Sequence, residues 1–252
     1  MMKVSIVQHI IRWNELEWNL NHLEQLLNGQ SGTDLFVLSE TFATGFLSDK
    51  EERPDAQVVV AWMQKQARRL KAAITGSVAM VDEAGLLRNR LYFVKPDGTY
   101  EYYDKRHLFS YAGENKAYVA GSRRVVVEWG GMRFLLQVCY DLRFPVFSRN
   151  RGDYDAIIYV ANWPQKRREV WQTLLKARAI ENQCYVIGVN CVGMDGLNEY
   201  AGDSVVINAY GHTIAQCTPS MEEIANAELN MEELGRFRKK IPVLADADNF
   251  SA

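Results

Sequence analysis

The chain has no Cys-x-x-Cys pair and no cysteine–histidine cluster at zinc-finger spacing; its four cysteines are Cys139, Cys184, Cys191 and Cys217. These absences exclude a disulfide framework and a structural zinc site, and free thiols fit a reducing, cytoplasmic setting. Long apolar runs are also lacking. The longest, around residues 156–161, has the length of a strand, far short of the ~18 residues that span a membrane. Met1 to Leu20 contains no continuous apolar segment of the kind a secretory leader needs and reads as mature protein. Neither sign of charge dominates: 29 Lys and Arg face 31 Asp and Glu, for a net charge of −2. No electrostatic footprint for nucleic acid and no basic run for a membrane surface therefore exists. No G-x-G-x-x-G or Walker-type loop supports nucleotide binding.

What is present suits an enzyme-sized globular chain. Of its 252 residues, 48% are hydrophobic, enough for a sizeable core. No Pro/Gly/Ser-rich linker and no internal repeat divides it, so residues 1–252 read as one domain. Strand patterns occur at Val4–Gln8, Leu35–Leu38, Ile74–Met80, Ile157–Val160 and Tyr185–Asn190. Hairpins are predicted around Pro96-Asp97-Gly98, Gly130-Gly131 and Tyr210-Gly211. Helical spacing marks Asn14–Leu27, a segment from Pro54 through Leu70, Glu169–Asn182 and Met231–Lys240. Helices thus alternate with strands and hairpins, which predicts an α/β chain with mixed sheets. Asp246–Ala252 reads as a tail, with a partner subunit as the surface that would order it.

Three apolar strands end on groups that carry chemistry. Leu35–Leu38 leads to Glu40, Thr99–Tyr103 leads to Lys105, and the run ending in Gln137-Val138 leads to Cys139. Sheet-built sites collect residues at strand ends. A cleft-facing thiol beside a cation and a carboxylate can act as a nucleophile. Individually each has an ordinary alternative: a packed thiol, a loop acid and a surface lysine. For Cys184 and Cys191, which flank the buried-strand pattern Tyr185–Val189, the packing role is the expectation. His107 lies two residues from Lys105, which raises a Cys139–His107 dyad as an alternative base–nucleophile pair.

The segments Tyr103-Asp104-Lys105-Arg106-His107-Leu108 and Cys139-Tyr140-Asp141-Leu142-Arg143-Phe144-Pro145 resemble those of the nitrilase superfamily of carbon–nitrogen hydrolases. The similarity extends over nearly the whole chain, including Ala161-Asn162-Trp163-Pro164 and Ala177–Gln183, and is strongest to the omega-amidase branch. Ser39 and Val146 depart from residues common in that family, proline and glutamate, without removing a catalytic group. The resemblance implies a four-layer α-β-β-α sandwich, a Glu40–Lys105–Cys139 triad and a second active-site glutamate at Glu114. The substrate class it implies is 2-oxoglutaramate-like dicarboxylate monoamides; another amidase or N-carbamoyl hydrolase, or a non-catalytic binding protein of this fold, are the alternatives. It implies no cofactor or metal, a small-molecule amide as partner, and a homodimer through the helical layers. In this scheme Lys105 and the backbone N–H of Tyr140 would form the oxyanion hole and Lys105 would favour the thiolate. Trp163, Arg167, Tyr111 and Tyr103 are the candidate substrate-binding residues. Arg143 is expected in a structural ion pair or an interface.

Overall fold

The computed structural model describes residues 1–47 and 55–248. The chain begins with β1 (Met2–Gln8), α1 (Leu16–Leu26), β2 (Leu35–Val37), α2 (Ala56–Leu70) and β3 (Ala73–Val81). Next come β4 (Leu87–Val94), β5 (Tyr100–Asp104), the short α3 (Glu114–Ala117), β6 (Val126–Trp129) and β7 (Met132–Val138). Then follow the one-turn α4 (Pro145–Ser148), β8 (Ala156–Ala161), α5 (Arg168–Glu181) and β9 (Tyr185–Asn190). The chain continues through β10 (Val192–Met194), β11 (Glu199–Ala201), β12 (Val205–Ile207), β13 (Thr213–Gln216), β14 (Glu223–Leu229) and α6 (Met231–Lys240). Pro54, expected near the start of α2, lies outside the described residues, as do residues 249–252 of the expected tail. The Asp55 side chain accepts from the Gln57 N–H, so α2 has a conventional acidic cap.

Two six-stranded mixed sheets form, in the orders β14-β1-β2-β3-β4-β5 and β13-β12-β9-β8-β7-β6. In the first, β1, β2 and β3 run parallel. In the second, β7, β8 and β9 do. Antiparallel hairpins extend both sheets. The period-2 alternation of a strand explains how the first sheet is covered on both faces. Leu35 and Val37 join the core shared with Phe134 and Leu136 of the second sheet. Phe36 points the other way, to Leu23 of α1 and Met63 of α2. On the outer face of the second sheet, Trp171 and Leu175 of α5 lie so close to Gly188 that a Cβ there would sit 2.5 Å from Leu175 Cδ1. The layers are therefore helix, sheet, sheet, helix, as the resemblance implies.

Sequence patterning missed β14 and the small β10–β11 pair. Glu223-Ile-Ala-Asn-Ala-Glu-Leu has few residues of strand preference, yet β14 pairs along the whole of β1, from Met2↔Leu229 to Gln8↔Glu223. Ladder pairing to an edge that would otherwise be open overrides weak local preference. Among the described residues no helix is long and apolar enough to cross a membrane.

Phe134 tests the inter-sheet core. It is fully buried and its ring lies 6.0 Å from that of Phe93 across the two sheets. Phe134→Ala is expected to lower unfolding free energy by about 3–5 kcal/mol. Urea denaturation checks this; a loss below about 1 kcal/mol would show that the sheets are not held together there.

Candidate active site

Parallel strands of equal reach place their following residues side by side. Val138 of β7 is paired with Val160 of β8, and Ala161 with Asn190 of β9. Cys139 and Asn162 therefore emerge at adjacent carboxyl ends. Glu40, just beyond β2, reaches them from the other sheet: its Oε2 accepts the Asn162 N–H at 2.9 Å. Two residues at this junction take left-handed backbone conformations, Cys139 with φ +47° and Thr41 with φ +40°. Such conformations cost non-glycine residues roughly 1–3 kcal/mol and are held where surrounding bonds dictate them. The Thr41 N–H donates to Ser77 Oγ at 2.8 Å.

Asp141 secures the turn that carries Cys139. Its Oδ2 accepts from the Tyr103 hydroxyl at 2.8 Å and the Val138 N–H at 2.9 Å. Its Oδ1 accepts from the His107 N–H at 3.0 Å and faces His107 Nδ1 at 2.7 Å. One buried carboxylate thus ties the end of β5 to the end of β7. The His107 ring also stacks on Phe144 at 3.8 Å. Its role in this geometry is to hold the turn, and the Cys139–His107 dyad finds no support.

The electrostatic centre is Lys105, only 1% exposed. Its Nζ donates to Glu40 Oε1 and to both oxygens of Glu114, each at 2.9 Å. Asn89 Nδ2 adds donors to Glu40 Oε1 at 2.8 Å and Glu114 Oε1 at 3.3 Å. The Phe109 N–H donates to Glu114 Oε2 at 2.6 Å. Burial raises the Glu40 carboxyl above its ordinary range; Lys105 pulls it back and Glu114 pushes it further up. Burial and then the Glu40 charge raise the Cys139 thiol. Lys105 does favour the thiolate, but the two opposing effects outweigh it.

Cys139 opens onto a cavity of about 240 Å³. Lys105, Tyr140, Trp163, Arg167 and Tyr111 line it, with Tyr111 88% exposed at the rim. Tyr140 is the second residue of a 3₁₀ turn, Cys139–Arg143, where N–H groups lack partners inside the helix. Glu40 and Glu114 sit behind Lys105. The structure does not bring Tyr103 to the cavity: it is fully buried, with its hydroxyl committed to Asp141. Arg143, expected in an ion pair or interface, instead lines the cavity with its guanidinium 5.4 Å from the Trp163 ring. Arg167 sits 5.2 Å from the Phe109 ring. Among the described residues neither arginine has a carboxylate partner. Sequence inspection also missed Asn89, the aromatic wall of Trp13, Phe46 and Tyr200, and the nearby Asp195. An asparagine inside a strand pattern was the available signal for Asn89, since strands disfavour it. Asp195 is committed locally, accepting from the Tyr200 hydroxyl, Asn198 Nδ2 and the Leu197 and Asn198 N–H groups, which hold its carboxyl below the ordinary range.

The carbon–nitrogen hydrolase family pattern matches residues 3–239. The chain belongs to the carbon–nitrogen hydrolase family. As a member it is a hydrolase of carbon–nitrogen bonds. It is 48% identical over 251 residues to the omega-amidase YafV of Escherichia coli K12, covering 99% of this chain and 98% of that one. A 2-oxoglutaramate amidase of Bacillus subtilis is 32% identical, with 96% of each chain covered. The crystal structure of XC1258 from Xanthomonas campestris, a superfamily member with an arsenic adduct in its active site, superposes with a TM-score of 0.96. It shares 43% identity over 100% of this chain and 98% of that one. The fold of this carbon–nitrogen hydrolase is accordingly that of the nitrilase superfamily.

The four thiols differ in access. Cys139 lines the cavity, whereas Cys184, Cys191 and Cys217 are buried elsewhere and burial raises each of them. Iodoacetamide is expected to modify Cys139 first, as followed by peptide mass spectrometry. Faster labelling of any other cysteine would contradict the assignment of an open cavity over Cys139.

Proposed function

We propose that the chain is an omega-amidase that removes the terminal amide of 2-oxoglutaramate-like dicarboxylate monoamides through a Cys139 thioester. The observation that carries this reading is a thiol beside a buried glutamate–lysine pair, lining a cavity whose wall holds two arginines without acidic partners among the described residues. The relatives named omega-amidase and 2-oxoglutaramate amidase support the same substrate class.

Amides resist attack and ammonia leaves poorly, so a nucleophile, a proton shuttle and oxyanion donors are all needed. Cys139 Sγ attacks the amide carbon while its proton passes to Glu40. The oxyanion is stabilised by the charge of Lys105 and by the Tyr140 N–H. Glu40 returns the proton to nitrogen, the C–N bond breaks, and ammonia departs from the thioester. Glu40 then takes a proton from water, whose oxygen attacks the thioester. The C–S bond breaks and the sulfur regains a proton, leaving the dicarboxylate. Glu114 holds Lys105 in register through both oxygens. Arg143 and Arg167 are placed to take the remote carboxylate; guanidinium groups suit such pairing. Trp163 walls the pocket between them and the floor, and Tyr111 contributes at the rim.

The single domain is proposed to work as a cytoplasmic homodimer. Four unpaired thiols support the compartment. Exposed apolar residues on α5 (Ile180), in the β12–β13 turn (Tyr210) and just after α6 (Ile241 and Val243) support the dimer.

Glu40→Gln is expected to lower kcat by about 10²-fold or more, the scale for loss of a general base. In the wild type, protonating Glu40 removes the base, so kcat/KM falls as pH is lowered. Because burial raises the Glu40 carboxyl, that acid limb is expected above the ordinary glutamate value of about 4.3. A pH–rate profile flat down to pH ~4 would contradict this assignment.

Arg143→Met and Arg167→Met test the substrate class. A charge-assisted pair is worth about 1.5–3 kcal/mol, or about ten- to a hundredfold in kcat/KM. Each variant is expected to lose that factor in ammonia release from 2-oxoglutaramate or succinamate, and much less on a neutral primary amide. Equal losses on both substrate types would place the carboxylate elsewhere.

A further inference from the structure

The donors around the two glutamates leave little room for a substrate amide. A carboxylate offers about four lone-pair positions. Glu114 receives Lys105 Nζ on both oxygens, Asn89 Nδ2 on Oε1 and the Phe109 N–H on Oε2. Glu40 receives Lys105 Nζ and Asn89 Nδ2 on Oε1 and the Asn162 N–H on Oε2, and the Cys139 thiol lies beside it. A primary amide brings two N–H donors into the cavity, and a donor buried there without a partner is costly.

One acceptor beside the cavity is unpartnered. Asn162 is 4% exposed and lines the cavity beside Cys139. Its Nδ2 donates to Thr41 Oγ1 at 3.0 Å, while its Oδ1 has no partner among the described residues. Several other buried polar atoms among the described residues also lack partners, including those of His9, Asn89 and Gln137, but none of those residues lines the cavity. A buried orphan carbonyl and a substrate that must place N–H groups are complementary.

We propose that Asn162 Oδ1 accepts a hydrogen bond from the N–H of the scissile carboxamide, making Asn162 a determinant of amide over ester selectivity. The assignment rests on the amidase function proposed above. The bond orients the amide nitrogen next to Glu40, because the same residue's backbone N–H already holds Glu40 Oε2. It is absent for an ester of the same acid, whose alkoxy oxygen has no proton to offer.

The test compares Asn162→Ala with wild type on succinamate and on monomethyl succinate, reading ammonia and methanol release respectively. Both substrates pass through the same succinyl thioester, so deacylation is common to them. The amide-to-ester ratio of kcat/KM is expected to fall about tenfold, the scale of one hydrogen bond in a desolvated site. A proportional loss on both substrates would overturn the proposal and leave Asn162 as a support for Glu40. An unchanged ratio at full activity would overturn it equally. Should the alanine variant fail to fold, Asn162→Gln displaces the carbonyl by one methylene and permits the same comparison. If the wild type releases no ammonia from any primary amide, the amidase function itself fails, and the role of Asn162 with it.

Discussion

A buried ammonium is the constraint around which this molecule is arranged. Removing a lysine from water is unfavourable by several kcal/mol unless carboxylates replace the lost solvation. Lys105 meets Glu40 from the end of β2 and Glu114 from the short helix α3, both at 2.9 Å. Separations of 65 and 9 residues are thereby closed on one atom. Asn89, on the neighbouring strand β4, donates to the same two carboxylates and accepts the Lys105 backbone N–H at 2.9 Å. The cluster is rigid because every member is needed to satisfy another. That rigidity suits catalysis, since preorganised charge reorganises little when an oxyanion forms.

Asp141 plays the matching part for the nucleophile. Four donors from two strand ends converge on it, and together they hold Cys139 in a left-handed conformation that the residue would not choose alone. Cys139 lines the cavity from this position. His107 belongs to this support. Its closeness in sequence to Lys105 made it look like a base, and its ring is instead spent on Asp141 and Phe144.

The convergence of Glu40, Lys105 and Cys139 was legible because each follows an apolar strand and because two long segments carry a family resemblance. Layering was legible from alternation in strands such as Leu35–Val37, where neighbours face opposite cores. Features defined only by three-dimensional convergence were not. Asn89 contacts partners 49 and 25 residues away, and no local pattern announces that. Tyr103 shows a limit of parity: it shares the inward face of β5 with Lys105, yet two residues along a strand is about 6.6 Å. That step takes it from the cavity floor into the inter-sheet core. Arg143 failed differently. An arginine in a polar turn reads as a salt-bridge former, and only the position of Trp163 shows that it faces a cavity.

The asymmetry of Glu40 links these supports to the reaction. Its Oε1 is occupied by the ammonium of Lys105 and the amide of Asn89, so negative charge is stabilised there. Oε2 is held only by the Asn162 backbone N–H, a weaker partner than the ammonium. In the proposed mechanism Glu40 takes the Cys139 proton, returns it to the departing nitrogen and later deprotonates water. A carboxylate raised by burial and by Glu114, but restrained by Lys105, is suited to both halves of this exchange. Stronger pairing with the lysine would leave Glu40 too weak a base to accept the thiol proton. Absence of the lysine would leave it too ready to keep that proton. The opposing influences on one buried side chain therefore bind the architecture of the ion cluster to the chemistry of amide cleavage.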